Sequence, residues 1–118
     1  MRRYIVEFGM GADFHGQDVT NAAKKAVKDA VSRSCLCGLM EVLELNLSQD
    51  VEVRATVAVS RPEEVDREAI ADCFPVGRVK VRAVLGGLQV PGLFLKQFGD
   101  KDDSIEAALA AVEVFVEK

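Results

Sequence analysis

The sequence has few of the residues that mark nucleic-acid-binding or membrane proteins. Its 118 residues include no tryptophan and one tyrosine, and the formal net charge is −4. Single-stranded nucleic acids bind aromatic platforms inside basic surfaces, so we predict that nucleic acid is not a partner. No apolar run approaches the roughly 20 residues of a membrane-spanning helix, so we predict no membrane partner either.

Cysteine and histidine are also scarce. The three cysteines are an odd number, and the basic start of the chain is followed by an apolar stretch too short for a secretory signal. Reduced thiols and a cytoplasmic location are the simplest interpretation. His15 is the single histidine. Because imidazole is the side chain that most readily exchanges a proton near neutral pH, any such transfer by an imidazole must use His15.

The bulk composition is that of an ordinary globular domain. Hydrophobic residues make up 49% of the chain and charged residues 29%, so we predict a single α+β domain over residues 1–118. Apolar runs and alternation predict four strands, at residues 4–8, 39–47, 51–59 and 79–85. Apolar residues at helical spacing predict three helices, at residues 19–34, 65–73 and 105–116.

This order of elements predicts a ferredoxin-like βαββαβ sheet with helices on one face and an added C-terminal helix. The prediction depends on a strand at residues 39–47. The alternative is a trimeric, chorismate-mutase-like α+β sheet. Both arrangements leave one sheet face to be covered by the terminal helix or by a second subunit. The apolar segment 88–98 lacks a clear period and is interpreted as a packed loop, a lid or an interface.

The motif whose residues could bind a ligand or carry a reaction is GMGADFHG at residues 9–16. It follows a predicted strand and precedes a predicted helix whose N-cap is Asp18. Glycines permit close backbone approach, and a helix N-terminus favours negative charge. Gly9, Gly11, Gly16 and Asp18 are therefore predicted to bind the anionic part of a ligand.

Asp13 and His15 add a reactive pair to this loop. They are separated by one residue, so in an extended segment their side chains point the same way. Such a pair serves either as a catalytic base with its orienting acid or as two ligands of a divalent metal. The purely structural interpretation remains open, in which Asp13 stabilises a turn and His15 bonds a carbonyl group.

Three aspartates, Asp100, Asp102 and Asp103, precede the predicted terminal helix. They are interpreted as favourable negative charge at its N-terminus.

The pattern GxGxDxHG near the start of the chain resembles the signature of an uncharacterised protein family of bacteria and plants. The similarity extends to PEEVD at residues 62–66 and to GGL at residues 86–88. The resemblance supports a site at Asp13 and His15 and implies no particular reaction.

A more distant similarity is to the 2-C-methylerythritol cyclodiphosphate synthases, in which a first strand is also followed by GxGxDxH. That resemblance implies that Asp13 and His15 bind a divalent metal. The synthases use a second histidine, which this chain lacks, so a third ligand would be Asp18, a cysteine or a carboxylate of another subunit.

We therefore expect a small cytoplasmic enzyme that acts on an anionic metabolite through this loop, with His15 and Asp13 as its acid–base or metal-binding pair. Because one chain offers few catalytic groups, we expect a homo-oligomer with the site near a subunit interface. The alternative is a non-catalytic module that either binds a small molecule or serves in oligomeric interactions.

Overall fold

A computed structural model describes residues 1–117 and shows an α+β fold, which confirms the predicted class. Its five strands are β1 (Arg2–Asp13), β2 (Val51–Val59), β3 (Arg78–Leu85), β4 (Leu88–Pro91) and β5 (Ser104–Val116). Its helices are α1 (Val19–Val31), α2 (Gly38–Glu41) and α3 (Arg67–Ala71). Short 3-10 turns occupy Pro62–Glu64 and Lys96–Phe98.

Strand β5 is the centre of the sheet. The strand order is β1-β5-β2-β3, and β4 also pairs with β5. Strand β5 is antiparallel to β1, β2 and β4, whereas β2 and β3 are parallel. Helix α1 packs on β1, β5 and β2, and α3 packs on β3. The helices thus lie on one face, the inner face; the opposite side is called the outer face below. No helix among residues 1–117 is both long and apolar enough to cross a membrane.

The predicted C-terminal helix at residues 105–116 is wrong, because this segment forms β5. Ala108 and Val112 fit a helical spacing and a strand alternation equally well, so the apolar pattern alone was ambiguous. The segment adopts the strand conformation because its backbone pairs with β1 on one side and with β2 on the other. The residues buried on the inner face alternate strictly: Glu106, Ala108, Ala110, Val112, Val114 and Val116.

The predicted strand at residues 39–47 is also wrong. The segment forms α2 and the turns that follow it. Its hydrogen bonds are local, including Val42 N–H to the Gly38 carbonyl at 3.1 Å and Leu45 N–H to the Leu39 carbonyl at 2.9 Å. Leu39 and Leu45 are buried all the same, because the turns fold back onto the core. The ferredoxin-like order with a terminal helix is therefore wrong.

The predicted loop at residues 9–17 begins later than expected. Strand β1 continues to Asp13, with Gly9 opposite Ala110 and Gly11 opposite Ala108 of β5. A Cβ atom on Gly9 would lie 2.2 Å from the Ala26 carbonyl oxygen of α1, and one on Gly11 would lie 2.5 Å from the Ala22 carbonyl oxygen. These two glycines are thus required by the close packing of α1 on β1.

Replacing Gly11 by alanine tests this packing. The new methyl group meets helix backbone, which cannot move aside as a side chain can, so we expect Gly11→Ala to lower the free energy of unfolding by about 3 kcal/mol, at the upper end for overpacking. Gly38→Ala is the matched control, since its Cβ would meet only the hydroxyl end of the Tyr4 side chain. Chemical denaturation of both variants measures the difference. Equal stability of the two would contradict the packing role.

Candidate functional site

The second half of the motif lies at one end of the sheet, where β1 ends and α1 begins. A cavity of about 320 Å³ there is lined by Asp13, His15, Gly16, Asp18, Thr20, Asn21 and Lys24. Gly9 and Gly11 are not among the lining residues. They lie within β1 under α1, so the prediction that all three glycines lie in one loop is wrong, while their predicted part in binding an anion stays a prediction.

Asp13 ties the end of β1 to the beginning of α1. Its side chain is buried. One carboxylate oxygen accepts the backbone N–H of Asp18 at 2.9 Å, and the other accepts Asn21 Nδ2 at 2.8 Å. No hydrogen bond joins Asp13 to His15 in the part of the chain that the structure describes. Asp13 therefore shapes the turn, and the expected orientation of His15 by Asp13 is not observed.

Asp18 is the N-cap of α1, as predicted. Its Oδ1 accepts the backbone N–H groups of Thr20 at 2.9 Å and of Asn21 at 3.2 Å. These are donors that an uncapped helix would offer to an external anion. Asp18 thus occupies part of the anion-binding capacity that the sequence assigned to this helix end.

The partner of His15 is Asp100. His15 Nδ1 lies 3.0 Å from each carboxylate oxygen of Asp100. An ionised carboxylate can only accept a hydrogen bond, so Nδ1 donates and the neutral ring carries its lone pair on Nε2. The ring of Phe98 lies beside the imidazole, with 4.8 Å between ring centroids. His15 is therefore held in one tautomer and orientation, the condition that proton transfer requires.

Backbone donors complete the surroundings of the Asp100 carboxylate, which is buried. It accepts the Leu95 N–H at 2.7 Å and the Gly16 N–H at 3.2 Å. Burial by itself raises the pKa of Asp100, but the hydrogen bonds from Leu95, His15 and Gly16 together outweigh it, so the pKa lies below the ordinary value of 3.8. Asp100 is thus a fixed negative charge behind His15.

Gln17 fixes the two loops of the site against each other. It is buried and has a left-handed backbone, with φ of 50°. Its Nε2 donates to the Ser104 carbonyl at 3.0 Å, and its Oε1 accepts the Lys101 N–H at 2.7 Å. Its own carbonyl accepts Arg61 Nη2 at 2.7 Å. The segment that carries His15 is therefore bound directly to the segment that carries Asp100.

A third buried carboxylate of this site, Glu106, lies directly opposite Asp13 in the pairing of β1 with β5. It accepts hydrogen bonds from the Ser60 hydroxyl and from Gln89 Nε2, the latter at 2.7 Å. These bonds connect β4 and the end of β2 to β5. The inner face of the sheet is therefore polar at this end, whereas the remaining inner-face residues of β5 are alanine and valine.

Within residues 1–117, no group of three or more histidine, cysteine, aspartate or glutamate side chains is arranged to hold a metal ion. Asp13 and His15 line the same cavity, but each already has its own protein partner.

Sequence reasoning did not identify Asp100, Gln17 or Glu106 as site residues. Asp100 was interpreted as charge before a terminal helix, and that interpretation is wrong because a strand follows instead. Nothing local pairs residue 15 with residue 100. The one local signal was the concentration of acidic residues at 100–103.

The lowered pKa of Asp100 gives a pH-dependent stability. The unfolded chain binds this proton at a higher pH than the folded chain does, so the unfolding free energy falls as pH drops from 3.8 through the folded-state pKa. We expect Asp100→Asn to be less stable than the parent protein at neutral pH and the gap to shrink in acid below 3.8. Asp103→Asn, at an exposed position nearby, is the control. Melting temperatures across this range are the measurement, and a gap independent of pH would contradict the assignment.

Comparison with known proteins places this chain in a family. Residues 3–114 match the family of conserved hypothetical proteins Lin0512_fam. No curated protein matches the chain. A solved structure, described as an FtsZ-like protein of unknown function from Nostoc punctiforme, is 38% identical, with a TM-score of 0.89. The match covers 99% of this chain and 97% of that one. As expected from the sequence, the chain belongs to an uncharacterised conserved family, Lin0512_fam.

Proposed function

We propose that the protein is a small enzyme in which His15 transfers a proton to or from a small anionic metabolite. The observation that carries this proposal is the 3.0 Å hydrogen bond between His15 Nδ1 and the buried Asp100 carboxylate. It leaves Nε2 as the basic atom of a side chain that lines a cavity. Asp100 is a positioning residue, because it acts on the reaction only through the imidazole.

Lys24 and the N-terminus of α1 are the features of the cavity that would attract an anionic ligand, in a lining that also holds the carboxylates of Asp13 and Asp18. Lys24 lines it, and no hydrogen bond or ion pair of the Lys24 side chain occurs among the described residues. The positive end of the α1 dipole lies at the same place. The two carboxylates of the lining, Asp13 and Asp18, already accept hydrogen bonds from backbone and amide groups. The volume of about 320 Å³ suits a small metabolite.

The segment between β4 and β5 would control access to His15. It contributes Phe98, beside the imidazole, and Leu95, whose N–H bonds the Asp100 carboxylate.

Turnover is tested with a pool of phosphorylated and carboxylated metabolites, followed by mass spectrometry. We expect the wild-type protein to convert at least one compound and His15→Gln to do so about 10²–10⁴-fold more slowly, the usual contribution of a general acid or base. Asp100→Asn should lose roughly 10–100-fold, as when other carboxylates that orient a functional imidazole are removed. Binding of a metabolite without its conversion would show a binding module instead of an enzyme.

Ligand binding has an independent readout, because the imidazole signals in the proton NMR spectrum come from a single histidine. Inorganic phosphate, pyrophosphate and citrate are the probes. We expect one of them to shift the His15 signal and to raise the melting temperature. Lys24→Ala should weaken both effects, whereas Lys28→Ala, an exposed lysine on the same helix, should leave them unchanged. Equal effects of the two variants would contradict the assigned anion site.

In a second form of this hypothesis, the same residues bind a divalent metal. A carboxylate bonded to one ring nitrogen is also the usual support of a histidine that binds metal through the other nitrogen. His15 and Asp13 would then be ligands, with a third from Asp18, a cysteine or another subunit. Metal analysis of the purified protein distinguishes the two forms. One bound metal per chain that is lost in both His15→Gln and Asp13→Asn favours the metal form; its absence from the wild-type protein favours acid–base catalysis.

A further inference from the structure

The outer face of the sheet carries large apolar side chains that nothing in residues 1–117 covers. Phe8 is 68% exposed, Met10 60% and Leu109 54%. Met10 is directly opposite Leu109 in the sheet, and Leu109 is directly opposite Ala58 on its other side. These four residues define the apolar strip. It runs from the edge strand β1 across the central strand β5 to β2.

The size and shape of the chain indicate that a face is missing its cover. Its accessible surface is 6957 Å², whereas a compact monomer of this mass exposes about 6,300 Å². The excess, about 600–700 Å², is close to the roughly 800 Å² that each partner buries in a standard protein interface. The radius of gyration is 15.8 Å, against about 13.5 Å for a compact domain of this length.

The element expected to cover this face is inside the sheet. The sequence predicted a terminal helix at residues 105–116 that could lie over the uncovered side, but that segment is β5. Helices α1 and α3 both pack on the inner face. A contiguous apolar patch on a soluble domain marks an interaction site. Some other molecule must therefore supply the missing layer.

Charge points to a second copy of this chain as that molecule. Next to the apolar strip, the outer face carries more basic than acidic side chains. The basic ones are Arg3, Arg54, Arg78, Lys80 and Arg82, and the acidic ones are Glu52 and Glu113. Glu52 pairs with Arg54 and Lys80, and Glu113 pairs with Arg3. Because Glu52 balances only one of its two partners, the excess is three positive charges, which include Arg78 and Arg82.

The rest of the chain is correspondingly acidic, since the net charge of the whole is −4. Exposed acidic residues concentrate on α3 and its flanks: Glu63, Glu64, Asp66, Glu68 and Asp72. We propose that the outer face binds a second copy of this chain, with the apolar strip at the centre of the contact and the basic end facing an acidic surface of the neighbour. Complementary charge of this kind orients partners and accelerates their association.

The contact is tested by measuring the molar mass of the protein by light scattering as it elutes from a size-exclusion column. We expect the wild-type protein to have a multiple of the 12.8 kDa chain mass and the double variant Met10→Glu, Leu109→Glu to have the mass of one chain. Both side chains are mostly exposed in the single chain, so the variant should keep its circular dichroism spectrum. Val42→Glu, at a position 76% exposed in the α2 region, is the control and should keep the wild-type mass. A mass of three chains would match the trimeric sheet that was the alternative prediction.

The role of the basic side chains in this contact is tested with the double variant Lys80→Glu, Arg82→Glu. We expect this variant to dissociate at a protein concentration at which the wild-type protein and Lys28→Glu stay associated. A wild-type protein that is monomeric at high concentration overturns the proposal, as does a Met10, Leu109 double variant of unchanged mass. His15→Gln should keep the wild-type mass, so failure of this contact and failure of the proposed chemistry are separable.

Discussion

The close approach of α1 to the sheet is the constraint on which the rest of the structure depends. At Gly9 and Gly11 the strand comes so near that a single methyl group would overlap the helix backbone. Strand β5 meets the same helix with Ala108 and Ala110, and the buried side of the helix is itself rich in alanine. Small residues on the facing surfaces of the helix and of the sheet allow the two backbones to approach closely. The first turn of α1 is thereby held at the end of β1, where Asp13 can bond Asp18.

Elements with one buried face and a local period were predictable. Helix α1 buries Val19, Ala22, Ala23, Ala26, Val27 and Ala30, which is the apolar stripe read from the sequence. Strands β2 and β3 alternate as predicted. Strand β5 was missed because alanine is a strong helix former, while its strand conformation comes from partners distant in sequence. The leucines that alternate at residues 39–47 lie in a helix and turns. Some of them are buried against the core, but the segment forms no strand and does not join the sheet.

The position of the site in the chain was predictable, but the hydrogen bond between His15 and Asp100 was not. The position of the motif and the N-cap at Asp18 follow from local chemistry. The expected contact between Asp13 and His15 assumed an extended chain through residues 13–15. The backbone instead turns just beyond, with φ of 86° at Gly16 and 50° at Gln17. His15 thereby meets Asp100, 85 positions away, and only the complete sheet brings the two together.

The central position of β5 has a consequence for how the chain reaches this state. Strand β5 is synthesised after the strands on both its sides, so β1 and β2 leave the ribosome without the partner that will join them. Until residues 104–116 emerge, both strands have unpaired backbone edges, which favour association with other chains. Pairing over so long a sequence separation also slows folding. The sheet therefore cannot form before β5 has been synthesised, and the same strand that assembles His15 with Asp100 limits how early the site can exist.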